Sequence, residues 1–319
     1  MKLHENQTDF LNAIKATSQA TGIREVYIEK DYWVCYILKN LSESKFSKEV
    51  VFKGGTSLSK AHKVIHRFSE DVDLALLNTS MPDAQIKKKL KEIEISIAKA
   101  PLASIEKVGI TSKGSSIRKT VWEYQKISQG EYGDASSELL LEINSFAIPS
   151  PFISVPIQTY IGEHLESINQ SSFANELLLQ PFQINVLEMK RTFAEKVSAV
   201  ARASFESDPE HNVLKNKIRH LYDLTMLLRL PHMKKFLTNG EFKNIHAQVQ
   251  KDDLAVPEAQ AKHAEKEFRD APIYKKSKET MESLRLTYEG QFSTLVYKPK
   301  DMPTIAEIIK ALHQIKESP

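Results

Sequence analysis

The sequence predicts an α+β fold of α/β type: an N-terminal domain with a mixed sheet flanked by helices, then a C-terminal helical domain. Three observations carry this. Short apolar runs stopped by glycine or serine turns alternate with amphipathic helical segments through the first half. Near residue 180 the pattern changes to long helical periodicity, which draws the domains at 1–180 and 181–319. With 319 residues, 41% hydrophobic and 27% charged, the chain is long enough for two globular cores.

The elements follow in order. Phe10 and Ile14 give a weakly amphipathic first helix, and Ile28, Trp33, Tyr36, Ile37 and Leu41 recur at helical spacing in a second. VVFKGG is a strand entering a tight turn, and TSLSKAHKVI is a helix with Thr56 or Ser57 as its N-cap. DVDLALL is the next strand. PDAQIKKKLKEIEISIAKA is a helix with Pro82 at its start and Ile86, Leu90, Ile93 and Ile97 along one face. Its lysines, Lys87, Lys88, Lys89 and Lys91, form the solvated side. β-Structure is expected between 105 and 165, and long helices from Asn185 onward.

Composition narrows the classes. Only 10 Gly and 13 Pro argue against collagen-like or disordered chains. No apolar run approaches the ~20 residues that a bilayer needs, and the charged N-terminus is unlike a signal peptide, so the expected location is cytoplasmic with no membrane partner. The single cysteine, Cys35, lies on an apolar helix, where it is core and cannot pair internally. His62 and His66 are four apart but lack the glutamate of an H-E-x-x-H site. A net charge of +3 permits a nucleic-acid partner without requiring one.

The chemistry concentrates in FKGGTSLSK and RFSEDVDLAL. Asp71 and Asp73 stand two apart at the start of a strand, so both side chains point to one face and Val72 and Leu74 to the other. Two such carboxylates repel, and a hard divalent cation, Mg²⁺ or Mn²⁺, relieves the repulsion. Upstream, Gly54 and Gly55 let the backbone turn sharply beside a ligand. Thr56 and Ser57 add hydroxyls and amides suited to phosphate oxygens. Arg67 and Ser69 flank the aspartate strand, where Arg67 reaches phosphate and Ser69 orders the turn, or both are structural. Lys53 and Lys60 bracket the glycine turn and raise its positive potential.

GGTS followed by a D-x-D strand resembles the nucleotidyltransferase superfamily. More narrowly, RFSEDVDL, YIEKDYWV, FAEKVSA and RHLYDL resemble the AbiEii/AbiGii-type toxins of bacterial abortive-infection and toxin–antitoxin systems, which include the MenT toxins. The resemblance spans about residues 25–230. It implies a nucleotidyltransferase-like N-terminal domain and a third metal carboxylate on a neighbouring strand, for which Glu142 in LLLEINS is the candidate; the other reading leaves Glu142 solvent-facing. It implies further that Lys196, otherwise a snorkelling lysine beside Phe193, Val197 and Val200, faces the triphosphate. Asp223, otherwise a helix-surface partner of Arg219, becomes a catalytic or site-ordering carboxylate bonded to Lys196. Glu29, Lys30 and Asp31 match an early family motif and read as an ion-pair network under the sheet.

The resemblance thus implies an enzyme. A nucleoside triphosphate lies against Gly54–Ser57 and Lys196, Mg²⁺ binds Asp71, Asp73 and Glu142, and a nucleotide passes to an RNA acceptor, the 3′ end of a tRNA. Growth stops and a cognate antitoxin is needed. Lys87–Lys91, or Lys275, Lys276 and Lys278, offer basic faces for the RNA backbone. Two other readings stand beside it: transfer to a protein hydroxyl, and an idle module that only binds nucleotide or RNA.

Overall fold

The computed structural model describes residues 1–77, 80–133, 135–206, 210–255 and 262–319. Asn6 accepts the N–H groups of Thr8 and Asp9, starting α1 (Gln7–Thr21), which ends at Gly22 in the left-handed region (φ 72°). α2 (Glu25–Ser42) is buried along nearly its whole circumference. There follow β1 (Val50–Lys53), α3 (Gly54–Lys60), β2 (Val72–Leu76) and α4 (Asp83–Ile97). Then come β3 (Ala103–Ile105), β4 (Ser112–Lys113), β5 (Ile117–Glu123), β6 (Leu139–Asn144) and β7 (Phe152–Ile157). α5 (Tyr160–Ser167), α6 (Ser171–Glu176) and β8 (Phe182–Leu187) close this half.

Among the described residues the sheet has eight strands in the order β3-β5-β6-β2-β1-β8-β7, with β4 added on β5. It is mixed: β1 and β2 are antiparallel, β2 and β6 parallel, β5 and β6 antiparallel, and β8 parallel to β1. The α+β class and the flanked mixed sheet are as the sequence indicates. Two elements differ. Residues 160–165 are helix, because the Thr159 hydroxyl accepts the Gly162 N–H and starts α5 where extended structure was expected. Residues 182–187 are a strand, because Phe52 on β1 pairs with Val186; the long helix begins only at Met189.

Two compact units result: Met1–Ala61 with Phe68–Val186, and His62–Arg67 with Leu187–Pro319. The second contains α7 (Met189–Phe205), α8 (Asn212–Lys215), α9 (Ile218–Leu228), α10 (Pro231–Thr238) and α11 (Glu241–Leu254). After these come α12 (Pro272–Lys275), α13 (Ser277–Ser283) and α14 (Ile305–Lys316), the last begun by a Thr304–Glu307 capping box. The inserted segment belongs to this unit through backbone bonds: Arg67 bridges Val296, and the His66 carbonyl accepts the Tyr297 N–H at 3.1 Å.

In the first unit, one face of the sheet is apolar: Val72, Leu74, Leu141 and Ile143 are fully buried. Arg118, in register with Ile143, points to that face and pairs with Glu94 of α4, so α4 covers it. Three consecutive charges of α2 lie inside the unit, each answered. Glu29 accepts the Ile127 and Ser128 N–H groups at 2.7 and 2.9 Å. Lys30 donates to Glu70 and to the Ser136 carbonyl, while the Ser136 N–H returns to Glu70. Asp31 pairs with Lys60 at 2.7 Å and accepts the Tyr160 N–H.

In the second unit the counterpart is Asp223, fully buried on α9. Arg67 grips it with two bonds of 2.8 Å and Lys196 of α7 stands 2.9 Å away. Burial alone would push this carboxyl up; the charges of Arg67 and Lys196 outweigh it and hold the group well below the usual carboxylate range.

Two outcomes follow. Asp31→Ala strands the Lys60 charge in the interior and lowers stability by about 3–5 kcal/mol in chemical denaturation, whereas Asp31→Leu with Lys60→Met loses much less. Equal losses would show that the pair has no mutual dependence. For Asp223, a folded pKa below the unfolded one gives stability that is complete above the ordinary carboxylate value of about 3.9 and lost as pH falls below it. The stability gap between wild type and Asp223→Asn therefore narrows below about pH 4; a gap independent of pH down to acid unfolding contradicts the assignment.

Candidate functional site

The sheet's other face carries the charges. Lys53 is opposite Asp73 across β1 and β2, Asp73 opposite Glu142 across β2 and β6, and Glu142 opposite Lys119 across β6 and β5. Residues in register point to the same side, so two carboxylates sit side by side in one row, flanked by a lysine at each end. Asp71 joins them two residues earlier on the same strand edge. Lys119 Nζ lies 3.6 Å from Glu142. All three carboxylates are partly exposed while their alternating neighbours Val72, Leu141 and Ile143 are buried.

Gly54 fits this row closely. Its φ is 79°, and a Cβ built there would fall 2.1 Å from Asp73 Oδ2. A side chain at this position is therefore excluded twice, by backbone conformation and by the Asp73 carboxylate. The turn brings the backbone of Gly54 against the carboxylate.

Thr56 and Ser57 do not cap α3, which begins at Gly54 with Lys53 as its N-cap residue. Their hydroxyls are engaged inside the unit: Thr56 Oγ1 donates to Ser69 Oγ at 3.0 Å, and Ser57 Oγ to the Gly54 carbonyl at 2.8 Å. The Thr56 bond ties α3 to the segment before Asp71. What the first turn offers a phosphate is backbone N–H groups, which a helix start leaves without intrahelical acceptors. Lys60 does not raise the potential of the turn, because its charge is met in the interior by Asp31.

Arg67, Lys196 and Asp223 form their own cluster within the second unit. Arg67 is 2% exposed and Asp223 fully buried, so Asp223 is no surface partner of Arg219. Lys196, 5% exposed, also stands 3.4 Å from His220 Nδ1. Burial, then the charges of Lys196 and Lys217, push the His220 pKa well down, so the ring is neutral and its Nδ1 accepts from Lys196. The sequence reading left out His220. A signal existed, since His220 and Asp223 are three apart on one helix and face the same way.

Among the described residues no three His, Cys, Asp or Glu side chains converge as a preformed metal cage. Mg²⁺ needs only one or two carboxylates when substrate phosphates complete its shell. Asp71 and Asp73 on one strand face, with Glu142 in register, are hard-oxygen donors of the right kind for it.

A family profile described as nucleotidyl transferase AbiEii toxin, type IV toxin–antitoxin system, matches residues 36–311. Among solved structures, MenT4, a nucleotidyltransferase toxin from Mycobacterium tuberculosis H37Rv, matches with a TM-score of 0.52. The match is 14% identical and covers 96% of this chain and 90% of that one. At this identity the likeness is one of fold. No curated protein matches significantly. The profile spans most of the chain, both units included, and the chain belongs to the AbiEii family of nucleotidyltransferase toxins of type IV toxin–antitoxin systems.

Proposed function

We propose that this nucleotidyltransferase toxin moves a nucleoside monophosphate from a nucleoside triphosphate to the 3′ end of a tRNA, and that growth stops because the blocked end cannot be charged. The observation that carries the reading is the in-register Asp73–Glu142 pair, with Gly54 held against Asp73. A row of adjacent carboxylates with a backbone turn packed against it suits a polyphosphate with its divalent cation. No helix among the described residues is long and apolar enough to cross a membrane, and the substrates of this reaction are cytoplasmic.

In this reading Asp71 and Asp73 hold the metal, Mg²⁺ or Mn²⁺, with Glu142 as third carboxylate once Lys119 yields it. When bound, the ion neutralises phosphate charge and favours ionisation of the acceptor hydroxyl. The acceptor oxygen attacks the α-phosphorus, the bond to the bridging oxygen breaks, and pyrophosphate leaves with that electron pair. Gly54, Gly55, Thr56 and Ser57 give backbone N–H groups to phosphate, and Ser69 fixes Thr56. Lys196 supplies a fixed positive charge for the triphosphate, while Asp223 and Arg67 orient it. Toxin–antitoxin membership gives the chain an antitoxin counterpart.

Two outcomes test this. Expression of the wild type without its antitoxin arrests cells whose tRNA carries extra 3′ nucleotides on end sequencing, and Asp71→Ala or Asp73→Ala abolishes both effects with an unchanged or higher Tm. Arrest by Asp71→Ala would support sequestration, and clean tRNA ends with labelled protein would move the acceptor to a polypeptide. Secondly, Lys196→Ala leaves Asp223 its Arg67 partner and so folds, yet lowers transfer at limiting triphosphate at least about tenfold, the loss of a charge-assisted contact of about 1.5–3 kcal/mol. A near-wild-type rate would return Lys196 to a structural role.

A further inference from the structure

Lys196 stands against two acceptors on one helix. His220 and Asp223 are three residues apart on α9, so both face α7, which packs against it. Asp223 Oδ2 lies 2.9 Å from Lys196 Nζ, and His220 Nδ1 lies 3.4 Å from the same nitrogen. Asp223 alone fixes the direction of the ammonium poorly, because Arg67 Nη2 already bonds that same oxygen at 2.8 Å. An ammonium on a single shared acceptor swivels about the contact, and its four-carbon stem is flexible. A second acceptor removes the swivel. Two N–H groups are then committed, and the tetrahedral nitrogen sets where the third must point.

The imidazole can play this part only while neutral. A charged ring has two donors and no acceptor, and it would repel the ammonium. The charged groups that face it are Lys196 from α7, Lys217 and Asp223 at the start and within α9, and Arg67 from the inserted segment. Burial and three cations disfavour a further positive charge there, and only Asp223 favours it. With Nδ1 accepting, the proton of the neutral ring sits on Nε2.

We propose that His220 is a positioning residue: together with Asp223 it holds the Lys196 ammonium so that the third N–H is presented to the triphosphate. The inference rests on the reading of Lys196 as a triphosphate contact and names what aims it. Asp223 supplies counter-charge, and His220 supplies direction. A neutral acceptor suits the second task, since another carboxylate would cancel the charge that the phosphates need.

The test compares His220→Leu, which removes the acceptor, with His220→Asn, whose side-chain oxygen replaces it. Should His220→Leu lose its cooperative melting transition, His220→Phe takes its place. Binding of ATP, GTP, CTP and UTP, each with Mg²⁺, is measured by isothermal titration calorimetry on the full chain. The tightest ligand of the wild type is carried through the variants. His220→Leu is expected to raise its Kd about fivefold, the scale of one modest hydrogen bond, and His220→Asn to stay within about twofold of wild type. In a Lys196→Ala background His220→Leu adds no further loss, because His220 acts through the lysine. In a ¹⁵N–¹H correlation spectrum at about pH 6, where an ordinary imidazole of pKa about 6.5 is mostly charged, His220 is neutral with its proton on Nε2.

Unchanged binding in His220→Leu would overturn the proposal, as would equal losses in the Leu and Asn variants. Additive losses in the Lys196→Ala background would also overturn it, by giving His220 an effect independent of the lysine. A charged ring, or one protonated on Nδ1, would do the same. If Lys196→Ala binds the triphosphate as wild type does, or the wild type binds none of the four, the reading of Lys196 falls and this proposal with it. If Lys196→Ala weakens binding and His220→Leu does not, the proposal alone falls.

Discussion

Three neighbouring charges on α2 are the constraint on which the first unit depends. Glu29, Lys30 and Asp31 are consecutive, so the helix sends them in directions about 100° apart. All three are buried, and a buried charge without an exact partner is strongly destabilising. Each therefore dictates where something else must be. Glu29 fixes the 127–128 backbone, Lys30 fixes Glu70 immediately before Asp71, and Asp31 fixes Lys60 at the end of the helix that starts at Gly54. The aspartate strand and the glycine turn are thereby both set from one helix. A hydrophobic contact could tolerate sliding there; these ion pairs do not.

The in-register row shows how the sheet converts repulsion into a binding preference. Asp73 and Glu142 would separate if free, but parallel pairing of β2 with β6 holds their backbones as neighbours. Lys53 and Lys119 at the ends of the row compensate in part. The strands are held by the apolar residues that alternate with these charges, so folding free energy is spent on an arrangement the side chains themselves disfavour. That separation of roles, one face for cohesion and the other for charge, follows from the twofold alternation of a strand.

Much of this was legible in the sequence. Alternation in DVDLALL put Asp71 and Asp73 on one face, paired glycines marked the turn, and residues 29–31 stood out as charges within an apolar helix. Local rules failed where long-range pairing decides. FQINVL is a strand because β1 accepts it, yet it runs directly into a helical pattern, which hid its boundary. Thr56 and Ser57 looked like caps, but Gly54 with φ 79° let the helix begin two residues sooner. Asp223 had a convenient local partner in Arg219, whereas its guanidinium is supplied by Arg67, 156 residues away. No spacing rule reaches that far. The register of Asp73 with Glu142 is equally invisible to a local reading, because it requires β6 to lie beside β2.

The excursion of His62–Arg67 into the helical unit has a consequence for how such a gene can change. A crossover at one point near residue 187 would carry away Asp223 and Lys196 but leave Arg67 behind. The transplanted helices would then hold an interior carboxylate with half its counter-charge. Exchange of this unit between relatives thus needs two coordinated replacements, one of them only six residues long and set between the glycine turn and the aspartate strand. Descent of the two halves as a single inherited block is the simpler history for a chain threaded in this way.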